Sequence, residues 1–308
     1  MSKLNKTKAK FKRLEEKEVE DLLRPLYQER TSQQNTLGVL AVQKNEQNRA
    51  FTENFDSILL IIVKEAEEAV FIKHYVDWNE ETASMYIVTE AKLREWLLLG
   101  SNRKVVEWLY HGRILFDRNE YVQGLKTEMR EFPFYGRKIK MAIEFAKLIK
   151  RYTDGKAFFN DGHFLDAYNH VLHSLHHLAR LSVIENGFYP ELTVWNQIRH
   201  IEPGIYKLYE ELLTSDEDLE KRLELLFLAS EFMIHSRTER GADHLLTLMK
   251  EKEWWSINEL LNHEEIVPYA VDLVTLMEYL IDRQLVQVIS VQTKGQGVFH
   301  RYYQVRNN

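Results

Sequence analysis

The pattern of apolar and polar residues changes twice along the 308-residue chain. The first part mixes apolar runs of strand length with amphipathic helical stretches, the second is almost entirely helical, and the third is helical and then β-rich. These changes predict three domains, over residues 19–134, 135–240 and 241–308. The predicted fold class is therefore α+β multidomain, with an α/β domain, an all-α helical bundle and a C-terminal winged helix-turn-helix.

The first segment predicts a small sheet with a buried central strand. Residues 58–63 form a continuous apolar run rich in β-branched side chains, which is typical of a strand that is covered on both faces. Further strands are predicted over residues 35–42, 69–77, 82–89 and 113–117. Helices are predicted over 90–99 and 102–111, with Gly100-Ser101 as the break between them.

Helical periodicity dominates the second segment and the start of the third. It predicts helices over residues 139–153, 164–184, 205–213 and 219–234. In the third segment it predicts a helix over 242–252, a short helix that opens at the capping box Ser256 to Glu259, and a helix over 267–283. Two strands follow, over 286–291 and 298–305. This order of elements is that of a winged helix.

Composition excludes several classes of protein. The chain has 41 Lys and Arg against 47 Asp and Glu. The resulting net charge of −6 excludes a nucleic-acid-coating protein that is basic over its whole surface. The absence of cysteine excludes disulfides, thiolate metal sites and cysteine nucleophiles. The longest strongly apolar run is far shorter than the ~20 residues that span a bilayer. We therefore expect a cytoplasmic protein with no membrane partner.

Candidate chemistry lies directly before the predicted central strand. If residues 54 and 56 belong to the strand, Asn54 and Asp56 point to one face and Glu53 to the other. Such oxygen ligands at a sheet edge can hold Mg²⁺, which clamps a nucleoside triphosphate for in-line transfer. The alternative is that Asp56 only ends the loop before the strand. The spacing leaves both interpretations open.

The order of loop, Asn54-Phe55-Asp56 and apolar strand resembles the Asp-x-Asp segment of the DNA polymerase β-like nucleotidyltransferases. Residues 112–117 resemble the stretch that closes this domain in kanamycin-nucleotidyltransferase-type proteins. From about residue 20 onward, the chain more closely resembles the nucleotidyltransferase-like family of bacilli, through residues 22–30, 195–197 and 203–213. That family joins a nucleotidyltransferase-like domain to a helical substrate-binding-type domain and a C-terminal helix-turn-helix.

The resemblance implies a site and a reaction. It implies that Asp56 and Asn54 are the catalytic residues and the Mg²⁺ ligands, and that Gln43, Lys44 and Glu53 lie at cofactor-binding positions. It further implies that ATP or another NTP, or a small substrate, binds in the cleft between the first two domains. An active protein would then transfer a nucleotidyl group from the NTP to a hydroxyl.

The chain departs from the pattern of active members at three positions. Val42-Gln43-Lys44 stands where they place a Gly-Ser pair, Asn54 replaces the first aspartate, and residues 84–86, near the expected third carboxylate, are not acidic. Loss of carboxylates removes the charge that holds the metal ions. The alternative is a non-enzymatic regulatory or DNA- or protein-binding protein on a degenerate transferase scaffold.

Histidines recur within the predicted helix over 164–184. His170, His173 and His177 have the spacing of one helix face, which Arg180 continues. Because the leucines between them form the core stripe, we expect this face to meet solvent or a cleft. A metal site, an anion-facing cleft wall and plain surface remain open.

The predicted winged helix has few basic residues. From residue 242 onward, six basic residues face nine acidic ones, for a net charge of −3. DNA affinity depends mainly on neutralising phosphates with Lys and Arg. We expect only weak DNA contact, through Lys294 and Arg301 of the wing. Protein contact, including a homodimer, or packing of apolar residues among Val274, Met277 and Ile281 is the alternative.

Overall fold

The structure is a computed structural model that describes residues 23–44, 52–131, 134–295 and 297–306. The chain divides into two compact units, Met1–Arg130 and Glu131–Asn308. Each unit is described separately below. The start of the first predicted domain, residues 19–22, and most of the loop before the central strand, residues 45–51, lie outside the described residues.

A five-stranded mixed sheet forms the centre of the first unit. Its strands are β1 (Thr36–Gln43), β2 (Ser57–Val63), β3 (Val70–Val76), β4 (Thr82–Thr89) and β5 (Arg113–Asp117). Their order is β3-β4-β2-β1-β5, with β2 parallel to β4 and the other neighbours antiparallel. All seven residues of β2 are buried. The prediction of a central strand covered on both faces is confirmed.

The helices of this unit begin and end where local signals indicate. A helix over residues 23–32, α1, precedes the sheet, and α2 (Glu90–Leu99), α3 (Arg103–His111) and α4 (Tyr121–Glu131) follow β4. Thr89 caps α2 by accepting a hydrogen bond from the Lys92 backbone N–H, and Gly100 ends the helix with a φ of 64°. The predicted α2 is confirmed residue for residue, whereas α1 and α4 were not predicted.

Five helices build the first part of the second unit. They are α5 (Phe134–Asn160), α6 (Phe164–Glu185), α7 (Val194–Ile201), α8 (Pro203–Thr214) and α9 (Leu219–Met249). The prediction of separate helices over 219–234 and 242–252 is wrong, because α9 is continuous for 31 residues. Glycine at position 241 does not end this helix. A Cβ placed there would lie 2.4 Å from the Phe145 ring, so the glycine permits close approach of α9 and α5.

The winged helix completes the second unit in the predicted order of elements. The C-terminal part of α9 is followed by α10 (Ile257–Leu261), a 3₁₀ turn (Val267–Tyr269), α11 (Ala270–Asp282) and the antiparallel ribbon β6 (Val286–Gln292) and β7 (Phe299–Val305). The predicted capping box is confirmed, because Ser256 and Glu259 exchange hydrogen bonds. The Tyr279 hydroxyl lies 2.9 Å from the Thr238 hydroxyl of α9, which joins α11 to the bundle.

The predicted boundary between residues 240 and 241 falls inside α9. The helical bundle and the winged helix therefore share one long helix as well as one compact unit. Within the described residues, no helix combines the length and the apolar character needed to cross a bilayer.

Candidate functional site

Asp56 lies at the edge of the sheet where three strands meet. It directly precedes β2, and its backbone N–H donates to the Thr82 carbonyl at 3.0 Å, at the start of β4. Its own carbonyl accepts from the backbone N–H of Lys44, directly after β1, at 2.8 Å. Because β2 and β4 run parallel while β1 runs antiparallel to β2, the start of two strands and the end of a third converge here.

The Asp56 carboxylate is engaged by two neighbours. Its Oδ2 accepts hydrogen bonds from the Thr82 backbone N–H at 3.0 Å and from the Thr82 hydroxyl at 2.8 Å. Its Oδ1 lies 3.7 Å from the Lys44 ammonium, and the side chain is 46% exposed. Partial burial acts to raise the pKa of Asp56, but the Thr82 hydrogen bonds and the Lys44 charge outweigh it and lower that pKa. Asp56 is therefore ionised, with Lys44 as its counter-charge.

Asn54 and Glu53 precede the strand instead of belonging to it. Residues 53 and 54 form a turn, in which Glu53 has a φ of 57° and Asn54 is exposed. The alternation argument that placed Asn54 and Asp56 on one strand face is therefore wrong, since it applies only to extended residues. Glu53 forms an ion pair with Lys104 of α3. Gln43, the last residue of β1, pairs in register with Ser57.

The neighbouring strand β4 supplies no carboxylate to this edge. Ser84 is buried, Met85 lies 3.9 Å from the Tyr75 hydroxyl, and the Tyr86 ring packs against Trp108. No group of three or more His, Cys, Asp or Glu side chains suited to a metal ion occurs in the part of the chain that the structure describes. One carboxylate that already has a lysine counter-charge does not fit a two-Mg²⁺ centre. The orientation of Asp56 and Asn54 toward a cleft shared with the helical domain stays a prediction.

The histidine-bearing face of α6 is partly buried around an ionic core. Glu144 of α5, only 2% exposed, accepts a hydrogen bond from Arg180 Nε at 2.7 Å, and its other oxygen lies 2.8 Å from His177 Nδ1. Burial acts to raise the pKa of Glu144, but Arg180 and His177 hold that pKa well below its ordinary value. The expectation that His177 and Arg180 face solvent or a cleft is wrong, because both bind a buried carboxylate.

Lys140 lies one helical turn before Glu144 and is also buried. Its ammonium is 2.6 Å from the Tyr189 hydroxyl and 4.0 Å from the centre of the Tyr189 ring. Burial, reinforced by the charge of Arg180, lowers the pKa of Lys140 well below its ordinary value. Sequence reasoning missed Lys140 and Glu144, although a charged pair four residues apart inside the mostly apolar stretch 139–149 is a usable signal.

A second ionic network joins α6, α9 and the residue before α8. Arg237 donates from Nε to Glu185 at 2.9 Å and from Nη2 to both oxygens of Glu202 at 2.7 and 2.6 Å. Ser182 donates to Glu202 at 2.5 Å. Two carboxylates thus share one guanidinium, and sequence reasoning predicted none of these four residues.

The winged helix presents an apolar and acidic surface. Val271 of α11 is 88% exposed and Val274 is 53% exposed, while Met277 is buried. Of the predicted DNA contacts, Arg301 forms an ion pair with Glu278 of α11 at 2.9 Å, and Lys294 lies exposed in the loop between β6 and β7. A basic wing side chain neutralised by the helix next to it contributes less to phosphate binding.

Comparison with known proteins accounts for the order of domains. A family model described as nucleotidyltransferase-like matches residues 19–137, one described as a YgxA-like substrate binding domain matches 138–237, and one described as a helix-turn-helix domain matches 243–305. These matches confirm the predicted fold class and the predicted family resemblance.

Two relatives match over almost the whole chain. The chain is 52% identical over 285 residues to an uncharacterized protein, YgxA, of Bacillus subtilis strain 168, which covers 92% of this chain and 97% of that protein. It is also similar to the crystal structure of a nucleotidyltransferase-like protein from Exiguobacterium sibiricum, with a TM-score of 0.78 and 38% identity, over 93% of this chain and 99% of that one.

Proposed function

Because the chain belongs to the YgxA-like family of nucleotidyltransferase-like proteins, we propose that it binds a nucleotide or a related small substrate without transferring a nucleotidyl group. The state of Asp56 carries this proposal. Its carboxylate accepts two hydrogen bonds from Thr82 and lies 3.7 Å from the Lys44 ammonium. The proposal places this binding in the cytoplasm.

Electrostatics supports binding over catalysis at this edge of the sheet. Mg²⁺-dependent transfer requires several carboxylates to hold the metal ions against the charge of the triphosphate. The Lys44 ammonium, 3.7 Å from the Asp56 carboxylate, opposes entry of a divalent cation there, since like charges repel. The Lys44 side chain is 31% exposed and its ammonium lies 3.7 Å from Asp56, so the ammonium keeps hydrogen-bond donors for the anionic part of a nucleotide, although the Asp56 charge weakens this attraction.

The helix-turn-helix domain supports a regulatory role as the second candidate function. Such a domain contacts DNA or a protein, and the exposed valines on α11 favour protein, including a second copy of this chain. In this interpretation, ligand binding changes the affinity of the winged helix for its partner. Any DNA contact, through Lys294 and the paired Arg301, is weak.

The test is to titrate the full-length chain with ATP by calorimetry, once with excess Mg²⁺ and once with a chelator. We expect the same affinity in both, no release of pyrophosphate with hydroxyl acceptors, and weaker binding by Lys44→Gln. Lys64→Gln is the matched control, because Lys64 is exposed and directly follows the opposite end of β2. Mg²⁺-dependent transfer by the unaltered protein that is lost in Asp56→Ala would refute the proposal.

A further inference from the structure

A cavity of about 500 Å³ lies between three helices of the second unit. It is lined by Met141 and by six charged side chains from α5, α6 and α9. Ligand sites for small molecules fall in this range of volume. The network of Arg237 adjoins it, because Glu185 both lines the cavity and binds Arg237.

Glu185 has one oxygen left over for a ligand. Its Oε2 accepts from Arg237 Nε at 2.9 Å, whereas its buried Oε1 has no hydrogen-bond partner among the residues that the structure describes. The side chain is 9% exposed. Buried carboxylate oxygens are normally hydrogen-bonded, so this oxygen calls for a donor from outside the described chain. Burial, with a smaller effect of Glu202, raises the pKa of Glu185 despite the nearby Arg237.

Cationic side chains line the same cavity. Lys138 and Asp243 form an ion pair at 2.6 Å and so neutralise each other. Arg137 and Arg240 add two positive charges and Glu239 adds one negative charge, and Arg240 is exposed on α9. Planar guanidinium groups bind phosphate oxygens with two parallel hydrogen bonds. The cavity thus combines an acceptor for a hydroxyl with donors for an anion.

We propose that this cavity binds a phosphorylated, hydroxyl-bearing small molecule, whose hydroxyl donates to Glu185 Oε1 and whose phosphate contacts Arg240. This inference rests on the proposed function for the class of ligand, and it assigns a binding site in the second unit in addition to the Lys44 contact in the first. The ligand is bound without a metal ion. A sugar phosphate or a nucleoside monophosphate has the required groups.

The experiment dissects the two halves of the ligand by calorimetry on the full-length chain. The probes are AMP, ribose 5-phosphate, adenosine, which lacks the phosphate, and inorganic phosphate, which lacks the sugar hydroxyls. We expect Glu185→Gln to weaken AMP, ribose 5-phosphate and adenosine at least about tenfold, as expected for a lost hydrogen bond to a charged group, and to leave phosphate unchanged. Arg240→Gln should weaken AMP, ribose 5-phosphate and phosphate and leave adenosine unchanged.

Matched controls lie on the same helix. Lys221→Gln and Glu224→Gln change exposed charges near the start of α9, and residue 221 is about 28 Å along the helix from residue 240. Arg240 is exposed, so its variant tests the site even if Glu185→Gln lowers stability. Unchanged AMP and ribose 5-phosphate affinities in both cavity variants would overturn the inference, and would leave the proposed function standing if ATP still binds in a Lys44-dependent way. Weakened ribose 5-phosphate binding in a chain that binds no nucleotide would support the inference and reject the nucleotide as ligand.

Discussion

Removal of the Glu144 charge should destabilise the helical domain by about 3–5 kcal/mol, the cost of breaking a buried ion pair from one side. Glu144 is 2% exposed and is bound by both Arg180 and His177 at 2.7 and 2.8 Å. Glu144→Leu leaves the guanidinium of Arg180 buried without its counter-charge. Since whole domains are stable by only about 5–15 kcal/mol, this is a large fraction of the total.

The double variant separates the charge effect from a packing effect. Arg180→Met in the Glu144→Leu background removes the stranded charge, and apolar pairs of similar volume often replace buried ion pairs at little cost. We expect the double variant to lie within about 1–2 kcal/mol of the unaltered protein. Arg180→Met also removes an unsatisfied donor, because Arg180 Nη1 is buried without a hydrogen-bond partner in the described part of the chain.

Urea denaturation followed by circular dichroism measures both variants. Because interactions hold the pKa of Glu144 in the folded protein well below 4.5, its contribution is complete above the unfolded pKa and is lost as pH falls through the folded pKa. The difference between the unaltered protein and Glu144→Leu should therefore shrink below about pH 4.5. Glu224→Gln, in an exposed ion pair with Lys221, is the control and should not change the midpoint. Equal losses in Glu144→Leu and in the double variant would refute the reasoning.

Two further predictions follow from the packing and from the wing. Gly241→Ala should lower the free energy of unfolding by about 1–3 kcal/mol, because the added Cβ overpacks against Phe145. Gly124→Ala in α4, where nothing lies within 4 Å of the added Cβ, should raise it by up to about 1 kcal/mol through helix propensity. Urea midpoints measure both, and a stabilised Gly241→Ala would contradict the close approach of α9 and α5. Random duplex DNA should bind weakly at low salt and not measurably at about 0.15 M salt, with the low-salt binding lost in Lys294→Glu/Arg301→Glu. Tight, sequence-selective binding at physiological salt would contradict this reading of the wing.

Elements whose signals are local could be predicted from the sequence. The apolar, β-branched run before Lys64 is long enough for a strand and too short for a typical helix, and it proved to be the central strand β2. The capping box at Ser256 and Glu259 needs only residues three apart, and it opens α10 as predicted. The order of the winged helix followed from such local signals, because each element carries its own periodicity and its own end.

Tertiary structure alone decided the features that depend on distant residues. The low helix propensity of Gly241 predicts a helix end, yet α9 continues through it, because the Phe145 ring lies where a Cβ at this position would be. Asn54 is two residues from Asp56, but it lies in the turn before β2 and not in the strand, so strand alternation does not set its direction. Glu144 and Arg180 are 36 residues apart and meet only when α5 and α6 pack. The sequence determines which residues are charged, whereas the packing of helices determines which charges are buried together.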